Sequence, residues 1–285
     1  MKNLFRFAVV FALTSLFAFF TLAQSRTNGR EPSVASKTFI IAHRGGAKES
    51  TENTIAAFQR AVRLGAGGVE TDVRMSRDGV AVIYHDERFG RVEGLAPPQR
   101  TRLVSDMTYT ELSAQTLVPV GEDTGGRRVP TLSHLLTDVK SGLLNVEIKR
   151  GARFDDLVDQ VISQLRHFSE LDRVVIEPPD LKTAEKIRHA LPAIKLHINP
   201  AYDGTVSFNE SLERVLRFHP HSISVNYKKV SLDIIELAHR AGVEVWVWTV
   251  DEPEIAQAMA LMGVDAVKTD RPRVMLDMLR NLRGR

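Results

Sequence analysis

Short apolar runs rich in β-branched residues alternate with amphipathic stretches along most of the chain. Eight runs have the length and composition of buried strands, namely residues 38–43, 68–74, 143–149, 173–177, 194–199, 222–226, 243–249 and 266–269. Helical spacing of apolar residues occurs over 53–64, 131–139, 154–167, 181–190, 209–218, 232–241, 253–262 and 274–282. Alternating strands and helices predict a parallel sheet, and eight such units in about 250 residues predict an α/β protein with a closed (β/α)8 TIM barrel. An open doubly wound sheet is the alternative, although the sequence has no G-x-G-x-x-G or Walker A phosphate loop.

One further strand pattern, at residues 80–85, does not fit a parallel connection. It follows the second strand after a short segment containing Asp78-Gly79, a hairpin turn signal, whereas a parallel crossover needs a dozen or more residues. We therefore predict an antiparallel excursion at the barrel mouth. Residues 86–130 then form a long insertion between the second strand and its helix, and we expect a lid or cap there, with a solvated loop as the alternative.

The first 23 residues have the pattern of a secretory signal peptide. Lys2 and Arg6 precede an apolar run that ends at Leu22, and Ala23 provides a cleavage site. An uncleaved membrane anchor is the alternative, although the run is shorter than the roughly 20 residues of a membrane span. We expect a secreted or periplasmic protein with a linker at 24–37 and the folded domain at 38–285, in contact with a membrane only if the N-terminal segment is retained.

Composition excludes several kinds of site and partner. The chain has no cysteine, which excludes disulfides, thiolate nucleophiles and cysteine-ligated metals. The formal net charge is +3, and removal of Lys2 and Arg6 with the signal peptide leaves one net positive charge. A charge so close to zero gives no electrostatic reason to expect a nucleic-acid partner.

Three acidic residues fall on adjacent predicted strands. Glu70 and Asp72 are two residues apart, so their side chains point to the same face of a strand. Glu147 repeats the arrangement on the next barrel strand, and Lys149 follows two residues later. Carboxylates in this number favour one hard divalent cation, Mg²⁺ or Ca²⁺. Lys149 either supplies a positive charge beside that ion, which would suit a phosphate substrate, or forms a salt bridge at the rim.

Two of the nine histidines stand at strand ends. His43 ends the first strand and is followed by Arg44, and His85 ends the antiparallel excursion and is followed by Asp86. Imidazole moves protons at neutral pH, so a pair at the barrel mouth could deprotonate an attacking oxygen and protonate a leaving one. Which histidine has which role stays open.

Several motifs together resemble those of the glycerophosphodiester phosphodiesterases. They are HRGG at 43–46, ENT at 52–54, VETDVRMSRDG at 69–79, HD at 85–86, VEIK at 146–149, VWTVD at 247–251 and VKTDRP at 267–272. The resemblance extends from about residue 38 to residue 275, and its order and spacing make it specific.

The resemblance implies hydrolysis of glycerophosphodiesters to glycerol 3-phosphate and an alcohol, on a (β/α)8 barrel with an insertion after the second strand and with Ca²⁺ or Mg²⁺. By motif position the implied roles are metal ligands for Glu70, Asp72 and Glu147, an acid–base pair for His43 and His85, phosphate contacts for Arg44 and Lys149, a further site acid for Glu52, and a wall of the glycerol pocket for Trp248. The alternatives are a helix N-terminal charge for Glu52 and barrel core for Trp248.

The chain also departs from the family pattern. Many relatives carry Ser-Phe where this sequence has Pro178-Pro179, and His197 on the following strand either faces the pocket or lies at the rim. Two other functions compete with the first. One is a phospholipase D-like or lysophospholipase D activity on membrane lipids, and the other is a non-catalytic periplasmic binding protein.

Overall fold

The computed structural model describes residues 38–121, 126–202 and 206–283. The predicted signal peptide and linker lie outside the described residues. The strands are β1 Phe39–Ala42, β2 Gly68–Met75, β3 Ala81–Ile83, β4 Leu143–Ile148, β5 Val174–Glu177, β6 Lys195–Ile198, β7 Ser222–Asn226, β8 Glu244–Trp248 and β9 Ala266–Thr269. The helices are α1 Ile55–Leu64, α2 Tyr109–Ser113, α3 Leu132–Asp138, α4 Phe154–Arg166, α5 Leu181–Ala190, α6 Phe208–Arg217, α7 Leu232–Arg240, α8 Pro253–Met262 and α9 Pro272–Arg283.

Eight of these strands form a closed parallel barrel. Their order is β1-β9-β8-β7-β6-β5-β4-β2, and pairing of β1 with β2 closes the ring. Strand β3 is antiparallel to β2, with Val73 opposite Ile83. The predicted (β/α)8 barrel and the antiparallel excursion are both confirmed.

The barrel interior contains a small apolar cluster. Ile41, Val175, Trp246 and Ala266 pack together there. The other faces of the strands pack against the helices in the main core, because neighbouring residues of a strand point to opposite sides of the sheet. Other buried positions on the same faces of these strands carry polar and charged side chains, among them Asn145, Ser224 and Lys268, whereas most barrels of this kind fill them with branched apolar residues.

His197 lies in this interior and not at the rim. Its residue is 0% exposed, and its ring centroid is 4.5 Å from that of Trp246. Burial holds the pKa of His197 well below the ordinary histidine value. The rim alternative is wrong, because the alternation of β6 turns this residue inward below the mouth.

The insertion packs with the segment around strand β3 to form a small hydrophobic core. Its buried residues are Val82, Tyr84, Phe89, Val104, Met107, Leu112, Leu117 and Val129. The short helix α2 begins with a capping box, in which Thr108 and Glu111 satisfy each other's backbone N–H groups. Within the described residues the segment therefore contributes buried apolar side chains to a packed core.

No helix among residues 38–121, 126–202 and 206–283 combines the length and the apolarity that crossing a membrane requires.

Candidate active site

The three predicted acids meet at the mouth of the barrel. Parallel pairing places Glu70 beside Asn145 and Asp72 beside Glu147. One carboxylate oxygen from each acid lies within 4.8 Å of the others. Two oxygens bound to one Mg²⁺ or Ca²⁺ lie at most about 5 Å apart, because each bond is roughly 2.0–2.6 Å long. The separation and the all-oxygen donor set fit one hard divalent cation.

Burial makes these acids electrostatically unequal. Glu70 and Asp72 are each 1% exposed. Burial and the neighbouring Asp72 charge raise the pKa of Glu70 to about 7. Burial also acts to raise the pKa of Asp72, but Lys149, His85 and Arg44 outweigh it and the pKa is lowered. Close carboxylates of this kind need a positive charge between them.

Lys149 supplies one such charge. Its Nζ lies 2.7 Å from Oε1 of Glu147 and 3.4 Å from Oδ1 of Asp72. Both sequence alternatives for this lysine describe part of the geometry, because it forms a salt bridge with the acids and also stands beside the candidate cation site.

The turn after β1 contributes Arg44 in an unusual backbone conformation. Its φ of 52° aims the backbone N–H at Glu70, which accepts a hydrogen bond of 2.9 Å. The Arg44 guanidinium donates to Glu52 at 3.3 Å. Arg44 therefore fixes a candidate metal ligand through its backbone and brings a positive side chain to the same place. This backbone role was not predicted from the sequence.

Asn53 orients the second acid. It also has a left-handed φ, 56°. Its Nδ2 donates to Oδ2 of Asp72 at 3.0 Å, and its Oδ1 accepts from Thr71 at 2.9 Å. The ENT motif thus places a buried amide that holds one carboxylate oxygen of Asp72.

His43 is oriented by Asp270, which directly follows β9. Nδ1 of His43 and Oδ1 of Asp270 are 2.7 Å apart, and Nε2 of His43 lies 3.8 Å from Oε2 of Glu70. Burial acts to lower the pKa of His43, but Glu70 and the hydrogen bond with Asp270 outweigh it and the pKa is raised. Because a carboxylate only accepts hydrogen bonds, Nδ1 carries the proton and Nε2 faces the acids.

His85 has the same kind of partner. Its Nδ1 lies 2.7 Å from Oδ1 of Asp86, and Nε of Arg91 donates to Oδ2 of Asp86 at 2.5 Å. Both terminal nitrogens of Arg91 donate to Glu52, at 2.9 and 2.5 Å. A single guanidinium of the insertion therefore connects the partner of His85 to Glu52. The role of Arg91 was missed, because its segment has no periodic pattern.

Glu52 and Trp248 occupy the mouth with different contacts. Glu52 accepts from Arg44 and Arg91, so it lies within the site and is more than a helix N-terminal charge. Trp248 is half-buried at the end of β8, and its buried Nε1 has no hydrogen-bond partner within the described residues. The other tryptophan of this strand, Trp246, is fully buried.

The fold and the site define a barrel protein with an acidic cluster that fits a divalent cation and with two carboxylate-oriented histidines. The chain matches the glycerophosphoryl diester phosphodiesterase family over residues 43–274. It therefore belongs to this family of hydrolases, which confirms the resemblance drawn from its motifs.

Individual relatives agree with this assignment. A glycerophosphodiester phosphodiesterase of Caldanaerobacter subterraneus is 32% identical over 252 residues, covering 86% of this chain and 98% of the relative. The crystal structure of a glycerophosphodiester phosphodiesterase of Thermotoga maritima has a TM-score of 0.70 at 25% identity and covers 85% of this chain and 99% of that one. A phosphodiesterase of Oleispira antarctica, in complex with the product sn-glycerol 3-phosphate, shares the fold with a TM-score of 0.72 at 22% identity and covers 87% and 99% of the two chains.

Proposed function

We propose that this protein hydrolyses small glycerophosphodiesters to glycerol 3-phosphate and an alcohol, by metal-dependent two-histidine acid–base catalysis. The observation that carries the proposal is the convergence of three carboxylate oxygens within 4.8 Å, with one oriented histidine beside Glu70 and another lining a cleft with Asn53, which donates to Asp72. The product complex of the structurally similar Oleispira phosphodiesterase supports the same substrate class.

Glu70, Asp72 and Glu147 would hold one divalent cation, Ca²⁺ or Mg²⁺. When bound, the ion supplies electrostatic stabilisation of charge that develops on the phosphate oxygens. The chain adds positive charge of its own at the same place through Arg44 and Lys149. Both side chains are largely buried beside Asp72, so their charges act on a bound phosphodiester with little screening by solvent.

His43 and His85 would divide the two proton transfers of the reaction. In each ring Nδ1 is held by an aspartate, which leaves Nε2 to accept or donate a proton. One histidine would remove a proton from the attacking hydroxyl, either of water or of the neighbouring glycerol group. The other would protonate the leaving alkoxide. Loss of either imidazole should cost roughly 10²–10⁴ in rate.

Glu52 would act mainly by positioning two arginines in this site. It accepts from Arg44 on one side and from Arg91 on the other. Trp248, half-buried at the end of β8, would form part of the wall against the glycerol moiety.

The proposal is tested with the purified chain and glycerophosphocholine. Glycerol 3-phosphate should appear with Mg²⁺ or Ca²⁺ and should be abolished by EDTA. His43→Ala and His85→Ala should each lose activity, whereas His167→Ala should retain it, because His167 is exposed and bonds only to a backbone carbonyl of its own helix. Metal-independent activity, or choline release from intact lysophosphatidylcholine in preference to this reaction, would overturn the proposal.

We also propose that the protein is exported to the periplasm or secreted, because its N-terminus has the pattern of a signal peptide. Mass spectrometry of the protein exported by its native host should show a mature chain that begins at Gln24. Recovery of the chain with Met1 in place would overturn cleavage.

A further inference from the structure

A buried ion pair crosses the interior of the barrel beneath the candidate active site. Nζ of Lys268 on β9 donates to Oε2 of Glu177 on β5 at 2.7 Å, and each residue is 3% exposed. In the closed strand order, three strands separate β9 from β5 in either direction. The two side chains therefore reach each other from opposite walls of the barrel. Neither residue has a role in the chemistry described above.

The pair is close enough to act on the candidate metal ligands. Glu177 is the register neighbour of Glu147 on the adjoining strand. Burial is the main cause of the raised pKa of Glu70, and the charge of Lys268 opposes it. Burial likewise raises the pKa of Glu177, and the charge of Glu147 adds to the effect. The charge of Lys268 therefore acts electrostatically on Glu70, and the charge of Glu177 acts on Glu147.

A gain in folding stability does not by itself explain why this ion pair is buried. Removing two charges from water costs several kcal/mol per ion, and buried pairs can often be replaced by apolar residues without loss of stability. Removing one partner alone has a different consequence, because the other charge is then uncompensated in a medium of low polarity. For Lys268 the compensation would come from Glu70, whose carboxylate its charge already affects.

We propose that Glu177 is a positioning residue that holds Lys268 away from the metal ligands, so that this ammonium does not compete with the divalent cation for Glu70. The inference rests on the proposed metal site. Without Glu177, Lys268 would be an unpaired buried cation whose remaining acidic neighbours are the ligands themselves. Metal binding should then weaken, and it should recover when the charge of Lys268 is also removed.

The experiment is isothermal titration of the full chain with MgCl₂ and with CaCl₂. Glu177→Gln keeps the size of the side chain and should weaken metal binding by roughly tenfold, the effect of about 1.4 kcal/mol of added repulsion. The double variant Glu177→Gln, Lys268→Met should bind within about threefold of the wild type. Glu170→Gln is the matched control, because it removes an exposed carboxylate that precedes the same strand, and it should bind as the wild type does.

Lys268→Met alone provides a second test that does not depend on folding of Glu177→Gln. It removes the competing cation, so it should bind metal at least as tightly as the wild type, and a tenfold loss would overturn the inference. Wild-type affinity in a folded Glu177→Gln variant, or a double variant as weak as the single one, would also overturn it. A wild type that binds neither ion would overturn the proposed metal site itself, which is a distinguishable failure.

Discussion

Nδ1 of His43 and Oδ1 of Asp270 lie 2.7 Å apart, although 227 positions separate the two residues in the sequence. The contact exists because β1 and β9 are neighbours in the closed barrel and both end at the mouth. Asp270 is itself held, since its backbone N–H donates to Asp251 at 2.8 Å. The closure of the barrel thus determines which nitrogen of His43 carries its proton.

Asp270→Asn should lower kcat by roughly 10²–10⁴-fold, because an amide can donate to Nδ1 and so favour the wrong tautomer. KM and the melting temperature should change little, since the backbone contact with Asp251 is retained. Steady-state kinetics with glycerophosphocholine and thermal unfolding measure the two effects. Asp277→Asn is the control, because Asp277 forms only an exposed ion pair with Arg280. A kcat equal to that of the wild type would show that Asp270 does not orient His43.

Arg91→Lys should lower kcat/KM by roughly tenfold to hundredfold, because an ammonium cannot reproduce two parallel bonds to Glu52 and a third to Asp86. Arg88→Lys is the matched control in the same segment, since Arg88 bonds to the backbone of Thr101. Steady-state kinetics with glycerophosphocholine measure kcat/KM for both variants. Equal values of kcat/KM for the two variants would show that the hydrogen bonds of Arg91 do not contribute to activity.

The barrel was predictable from the sequence because the apolar period of each strand and helix is a local property. Gly68–Met75 shows how this extends to the site, since the alternation of a strand alone placed Glu70 and Asp72 on one face. The histidines and acids were therefore predicted together, and the structure brings the three acids within 4.8 Å.

The partners of these residues were not predictable in the same way. Asp270 and Arg91 reach the histidine environments only through barrel closure and through a segment without periodicity. Lys268 and Glu177 occupy inward positions where the strand pattern favours apolar residues, so no local pattern indicates that two opposite charges meet there. The sequence left open whether His197 faces inward or lies at the rim, because a histidine near a strand end fits both positions.

The packed core of the insertion predicts a large effect of Leu112→Ala. Leu112 is fully buried there, and truncation of a buried leucine costs about 2–5 kcal/mol when the surroundings do not collapse. Urea unfolding followed by circular dichroism should show this loss in the free energy of unfolding. Leu237→Ala is the control, because Leu237 is 37% exposed. If Leu112→Ala costs no more than the control, the insertion does not fold as a cooperative part of the domain.

The raised pKa of Glu70, about 7, predicts that metal binding depends on pH. Below that pH a proton occupies the carboxylate that the metal needs, so affinity should fall by about tenfold per pH unit and binding should release close to one proton. Above it the carboxylate is already ionised, so affinity should level off. Titrations with MgCl₂ between pH 6 and pH 8, in buffers of different ionisation enthalpy, measure both quantities.

Glu93→Gln is the matched control, because burial also raises the pKa of Glu93 but its carboxylate accepts a hydrogen bond from Tyr84 inside the cap. Affinity that stays constant across this range in the wild type would show that Glu70 binds metal without releasing a proton.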